Sequence, residues 1–132
     1  MSVERLNPAG LHATPGYHHV TVVEAGRLVF LAGQCPLDER GELVGAGELL
    51  VQVDQVVANT LMALDGVAAG PTDVVLTVIW VASSDRSDLG AVWNRLRESP
   101  LADAFTTAST LVGVACLGYA GQLIELDVTA AL

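Results

Sequence analysis

The sequence predicts a single α+β domain: a mixed sheet with two helices packed on one of its faces. Three observations predict it. The chain has 132 residues, 52% of them hydrophobic, which is enough for one domain with a real core. Two stretches repeat their apolar residues at three- and four-residue steps, as amphipathic helices do. Between and around them lie short valine-rich runs bounded by glycine and proline, which read as strands. Aromatic residues are only 5% of the chain, so the core is mostly valine, leucine and alanine.

Residues 1–16 contain Pro8, Gly10, Pro15 and Gly16 and read as an arm and loop. His18 to Glu24 alternates loosely and is rich in valine. Ala25-Gly26-Arg27 makes a short turn, and Leu28 to Ala32 returns as a second strand, giving a hairpin. Pro36 to Gly47 is a polar loop with three glycines and a short strand near Glu42–Val44. A helix from Glu48 to Val67 follows, with Leu49, Val53, Val56, Val57, Thr60, Leu61 and Leu64 on one face. Glu48 suits the positive end of its dipole, and Gly66 and Gly70 mark its end. Asp73 to Ala82 is the next strand. Ser84, Asp85 or Ser87 can cap a second helix near Asp88 to Glu98, with Leu89, Val92, Trp93 and Leu96 buried and Pro100 as its stop. Two last strands, Thr107 to Leu117 and Gln122 to Thr129, are joined by Gly118-Tyr119-Ala120-Gly121. The order is ββ(β)αβαββ over residues 1–132, without repeats or a linker.

The strand from Asp73 to Ala82 is apolar on both faces. Val74, Leu76, Val78 and Trp80 fall on one, and Val75, Ile79 and Val81 on the other. Two helices cover only one face of a sheet, so something else must bury the second. The N-terminal arm or a loop could lie across it; copies of the same chain are the expected cover.

Composition excludes several function classes. Fifteen acids stand against six arginines, for a formal net charge of −9, and there is no lysine. A Schiff-base mechanism and a phosphate-loop lysine are therefore excluded. A chain this acidic repels a phosphate backbone and offers no basic face to an anionic membrane, so neither nucleic acid nor membrane is an expected partner. Cys35 and Cys116 lack metal-ligand spacing and read as two buried thiols rather than a disulfide; no metal or cofactor is expected. No apolar run approaches the roughly 18 residues that span a bilayer, and no signal peptide is legible, so a cytoplasmic location is expected.

The residues also carry a resemblance. Gly16-Tyr17, the run Leu28-Val29-Phe30-Leu31-Ala32-Gly33-Gln34-Cys35-Pro36-Leu37-Asp38, the helix residues Gln52-Val53-Asp54-Gln55, Asn59, Leu64 and Gly70, then Asp73-Val74-Val75-Leu76-Thr77 and Ile124-Glu125-Leu126-Asp127 follow one pattern in order. Together they resemble the Rid proteins (reactive intermediate deaminases, or the YjgF family) over nearly the whole chain. The resemblance implies a chorismate-mutase-like fold, a homotrimer, and a small-molecule site in the cleft between subunits. In active members that site hydrolyses imines and enamines.

The chemistry asks for a cation to hold a substrate carboxylate, a glutamate to place water, and hydrogen bonds for the oxyanion and the leaving ammonia. By resemblance, Tyr17 matches the cleft tyrosine, Gly33 the glycine whose backbone lines the cleft, and Glu125 the water-positioning glutamate. Tyr17 and Glu125 are thus the candidate catalytic residues. Ala32 stands in place of a serine, Trp93 near an asparagine, and Leu111 in place of a cysteine. Ser109 stands where the family's arginine belongs, with Thr107 in place of the preceding proline and Ala108 kept. Gly33, Ala32, Trp93, Ser109 and Leu111 are the candidate substrate-binding residues. Arg86, Arg95 and Arg97 of the second helix are candidates to replace the lost cation. Losing a buried two-pronged contact costs about 2–5 kcal/mol, or roughly 30- to several-thousand-fold in affinity.

Each residue also has a plainer reading. Tyr17 can be a packing residue, Glu125 an exposed acid on an alternating strand like Asp127, Trp93 a core residue, and Ser109 an ordinary strand serine with no base beside it. His18 and His19 point to opposite faces, so at most one joins Tyr17 and they do not share a metal; His12 reads as a loop residue. Two functions follow: a deaminase acting on a small imine or enamine, or a non-catalytic trimer that binds a small neutral molecule. An RNA-cleaving role is disfavoured by the acidic charge.

Overall fold

The run Val-Val-Leu-Thr-Val-Ile-Trp-Val, seven of whose eight residues are β-branched or aromatic, forms one of two eight-residue inner strands. The computed structural model describes residues 2–24 and 26–132. In chain order the elements are β1 (Val3–Leu6), β2 (Val20–Val23), β3 (Leu28–Phe30), α1 (Leu49–Asp65), β4 (Val74–Val81), α2 (Arg86–Arg97), β5 (Ala108–Gly113) and β6 (Ile124–Ala131). A four-stranded mixed sheet runs β3-β6-β4-β5, with β4 and β5 parallel and the other pairs antiparallel. Both helices pack on one face of it, so the α+β architecture read from the sequence holds.

Each helix follows from its own residues. In α1, Val53, Val56, Val57, Thr60 and Leu64 are buried, at the expected spacing. Glu48 is its N-cap but makes no side-chain capping bond. Gly66 stays right-handed, and the turn that ends the helix falls on Ala68, at φ 55°. Asp85 caps α2 by accepting from the Ser87 amide at 2.8 Å, and Arg95 and Arg97 lie in its last turn, where cations suit the dipole. Val92, Trp93 and Leu96 meet the α1 valines over Ile79, Val81, Leu126 and Val128. A short 3₁₀ turn at Ala102–Thr106 adds Ala104 and Phe105 to this core.

The N-terminal part departs from expectation. Val3–Leu6, read as arm, is a strand paired antiparallel with β2. Its Val-Glu-Arg-Leu sequence is too short and too charged to show a pattern. The expected hairpin does not form: β2 pairs with β1, and β3 pairs with β6. Ala25 of the expected turn lies outside the described residues. The strand expected near Glu42–Val44 is only an isolated bridge, Leu37 to Leu43. Three strands do precede α1, but the additional one is Val3–Leu6 and not the segment expected near Glu42–Val44. Arg5 ties the small sheet to the large one, donating to the carbonyls of Thr72 (3.1 Å) and Val74 (2.9 Å).

In β4 a register irregularity between Val74 and Leu76 changes the expected facing. Val74 and Val75 are both buried, and beyond them Thr77, Ile79 and Val81 turn to the helices. Leu76, Val78 and Trp80 turn the other way. The described residues leave that outer face uncovered: Leu76 is 43% exposed, and Leu28 and Phe30 of β3 are 55% and 74% exposed. Large apolar side chains grouped this way mark an interaction surface.

The sequence reading also missed a buried clamp. Gln52 is fully buried in α1. Its Nε2 donates to the carbonyls of Gly45 and Gly121, both at 3.0 Å, and its Oε1 accepts from the Leu123 amide at 2.8 Å. One side chain thus fixes the loop before α1 to the loop before β6. No described helix is long and apolar enough to cross a membrane.

Candidate functional site

The residues singled out by sequence fall into two clusters on opposite faces of the large sheet. Ser109 pairs with Thr77 and Leu111 with Ile79, so both point to the helix side at the open edge of β5. There they meet Trp93 of α2 and Tyr17 of the loop before β2. With Pro15, Gly90 and Thr110 these residues line a hollow of about 300 Å³.

The walls of the hollow are held in place. Tyr17 packs edge-on against Trp93 with ring centroids 6.3 Å apart, and Trp93 against Phe105 at 6.0 Å. His19 meets Tyr17 edge-on with ring centroids 5.7 Å apart, while His18 turns away to bond the Thr106 carbonyl. One histidine joins Tyr17, as the alternation requires. His12 sits in the loop, its ring 4.6 Å from that of His19. The Pro15 carbonyl accepts from Arg97 Nη1 at 2.8 Å and, in a longer bond, from Trp93 Nε1 at 3.4 Å. Arg97 lies flat against Gly16, where a side chain would strike the guanidinium at 2.6 Å. Ser109 Oγ donates to the Thr107 carbonyl at 3.1 Å and accepts from Thr77 Oγ1 at 2.6 Å.

None of the three helix arginines replaces a cation in this hollow. Arg95 makes a two-pronged pair with Asp54 of α1, at 2.9 and 2.7 Å, and its hydrogen bonds hold the Asp54 carboxyl below its ordinary range. Arg97 is spent on Pro15, and Arg86 is exposed at the first position of α2.

The second cluster lies on the outer face. Glu125 and Asp127 pair with Trp80 and Val78 of β4, so they share the apolar face and not the helix face. Trp80 Nε1 donates to Asp127 Oδ2 at 2.9 Å. Glu125 Oε1 accepts from Gln122 Nε2 at 3.2 Å and from the Cys35 thiol at 3.3 Å. Burial first, and then the Glu125 hydrogen bond, push the Cys35 thiol up to about 11 from its ordinary 9.0. Gly33 closes the cluster. A Cβ there would strike the Glu125 carboxylate, with Cδ at 2.8 Å and Asp127 Oδ1 at 3.0 Å. Glycine here leaves room for the carboxylate; its backbone is not left-handed. Ala32 is exposed beside it and accepts from Gln34 Nε2 at 3.0 Å.

Tyr17, Trp93, Ser109 and Leu111 are therefore brought together, as are Gly33 and Glu125, but β4 separates the two groups. Cys35, Gln122, Asp127 and Trp80 were not read from the sequence as site residues. Cys35 follows Gly33 by two positions, the signal that two residues of an extended segment share a side. Cys35 is partly buried and Cys116 is exposed, so the expectation of two buried thiols fails for Cys116, which lies in an open loop past β5; both are free. Among the described residues no group of three His, Cys, Asp or Glu side chains is arranged to hold a metal.

The model of the family described as endoribonuclease L-PSP matches residues 9–132. A crystal structure of YyfB from Yersinia pestis, described as a protein of unknown function of the conserved Rid family, is 31% identical, covers 100% of both chains and has a TM-score of 0.89. The chain belongs to the Rid family. A putative endoribonuclease from Thermotoga maritima is 26% identical over 96% of this chain and 91% of that one, with a TM-score of 0.65. The E. coli YjgF product shares the Rid fold at 23% identity, covering 95% and 92% of the two chains, with a TM-score of 0.64. No curated protein matches the chain.

Proposed function

We propose that this Rid protein assembles as a trimer in which the Tyr17–Ser109 hollow of one copy meets the Glu125–Gly33 cluster of the next, and that the joined cleft hydrolyses a small imine or enamine. The observation that carries this reading is the division of the candidate residues between two faces of one sheet. No carboxylate lines the Tyr17–Ser109 hollow, and the recess beside Gly33 and Cys35 is bordered by Asp38 and Glu39 and not by Glu125. A neighbouring copy supplies what each lacks. The exposed Leu28, Phe30 and Leu76 support the assembly, since they would otherwise remain in water.

Cys35 and Gln122 both bind Oε1 of Glu125, while Oε2 lies against Gly33 without a protein hydrogen bond and is the oxygen proposed to hold a water. The water oxygen adds to the imine carbon while Glu125 takes its proton, and the C=N electron pair moves to nitrogen. Glu125 then returns a proton to the nitrogen of the carbinolamine. Glu125 next takes the hydroxyl proton as C=O re-forms and passes it to the same nitrogen, so the C–N bond breaks and ammonia leaves. In this reading the Gly33 backbone and the Tyr17 hydroxyl bond the oxygen and the departing nitrogen.

Ser109 stands in place of the family's arginine, so the substrate is one without a carboxylate anchor. The charge of −9 and the absence of lysine speak against the endoribonuclease label as a guide to substrate. One observation favours a second reading, a non-catalytic binding trimer: the hollow's serine hydroxyl is already bonded twice, and its other walls are largely apolar.

Ammonia release from imines generated in situ separates the two. The enzyme reading expects release that Glu125→Gln lowers at least about 100-fold. No release from any imine, together with a thermal shift from a neutral metabolite, establishes the binder instead.

A further inference from the structure

The hydroxyl of Ser109 has a fixed polarity. Its proton goes to the Thr107 carbonyl, and one of its two lone pairs receives the proton of Thr77, which is fully buried. Ser109 itself therefore has only an acceptor lone pair left for a ligand in the hollow. Ser109 cannot donate to a ligand without surrendering a bond to the main chain.

The other walls narrow the choice further. Trp93 commits its N–H to Pro15, so it offers the hollow a ring. Pro15 and Leu111 are apolar, Tyr17 brings a ring and one hydroxyl, and the Arg97 guanidinium is engaged by the Pro15 carbonyl. A carboxylate placed here would set its lone pairs against that of Ser109, and no cationic side chain lines the hollow to offset this. An N–H would find its acceptor. A volume of about 300 Å³ is at the small end for ligand pockets. A dry cavity of roughly 150 Å³ already accepts benzene, so one ring or a branched alkyl group fits with room for a short polar arm.

We infer that the hollow selects an uncharged ligand with a ring-sized or branched-alkyl body and an N–H directed at Ser109 Oγ, and rejects carboxylates. For the proposed hydrolysis this names the substrate class: imines derived from simple apolar amines or aldehydes, in place of 2-imino acids. The inference rests on that reading only in taking the hollow as the substrate-binding half of the cleft.

Three ligands of one shape test it by calorimetry on the full-length protein: 2-phenylacetamide, methyl phenylacetate and phenylacetate. The amide is expected to bind at least about 10-fold more tightly than the carboxylate and several-fold more tightly than the ester. Ser109→Ala is expected to erase the margin of amide over ester, and Ser109→Arg to put phenylacetate first. Phenylacetate binding as tightly as the amide to the unaltered protein overturns the inference, as does failure of all three to bind at millimolar concentration. These two results need no variant to fold. Binding in the expected order without ammonia release from any imine leaves the inference standing and removes the hydrolase reading. Turnover of 2-imino acids with phenylacetate bound best does the reverse.

Discussion

The carboxylate of Glu125 rests directly on the Cα of Gly33, so close that even a methyl group would collide with it. The group that would strike it is the flexible end of a side chain, so the collision is relieved by moving Glu125 and not the backbone. Gly33→Ala is therefore expected to fold, with a loss of about 1–2 kcal/mol as Glu125 leaves Gln122 and Cys35. Any imine hydrolysis should fall much further, by about 100-fold or more. Thermal denaturation read beside ammonia release checks this. Equal turnover in Gly33→Ala and the parent would show that Glu125 does not act from this position.

Cys35 gives a pH signature. Its folded pKa, about 11, lies above the ordinary 9.0, because burial and the neighbouring Glu125 disfavour the thiolate. The folded state therefore prefers the neutral thiol. That contribution is fully present below about pH 9 and is lost as pH rises through 9 towards 11. The melting temperature of the parent should fall more steeply than that of Cys35→Ser across this interval. At neutral pH an alkylating reagent should modify the exposed Cys116 well before Cys35.

Gln52 is the site of the largest stability loss expected from a polar substitution. Gln52→Ala would leave the Leu123 amide and the carbonyls of Gly45 and Gly121 without their partner. A cost of about 2–4 kcal/mol is expected from denaturant unfolding. Gln52→Glu should do nearly as badly, because a carboxylate accepts from Leu123 but cannot donate to the two carbonyls.

The outer sheet face predicts how the protein assembles. Phe30→Asp and Leu76→Asp each place a charge where an apolar contact is proposed, and each is expected to shift the trimer towards monomer in sedimentation at micromolar concentration. An unaltered protein that sediments as a monomer at that concentration would remove the shared-cleft reading.

Much of this architecture was legible because its long elements repeat. The α1 valines and the Leu-Val-Trp-Leu stripe of α2 each announce their partner face, and the largely apolar run of β4 announces an inner strand though not its facing. The pairing of short strands was not. Val3–Leu6 carries two charges in four residues, and β3 has only three residues, so neither could show whether it pairs with β2 or with β6. Among the site residues, the pattern named Tyr17, Trp93, Ser109, Leu111, Gly33 and Glu125. It could not show that β4 divides them, since that depends on register. Nor could it foresee that Arg95 is held by Asp54, 41 residues earlier in the chain. Such a contact is set by how two helices cross.

The division of the two clusters makes the proposed assembly testable by mixing. A subunit crippled at Tyr17 still carries a sound acidic half, and one crippled at Glu125 still carries a sound hollow. Refolded together, each mixed ring of three would contain one junction where both sound halves face each other. Two inactive preparations would then recover part of the activity when combined, and neither would recover any alone.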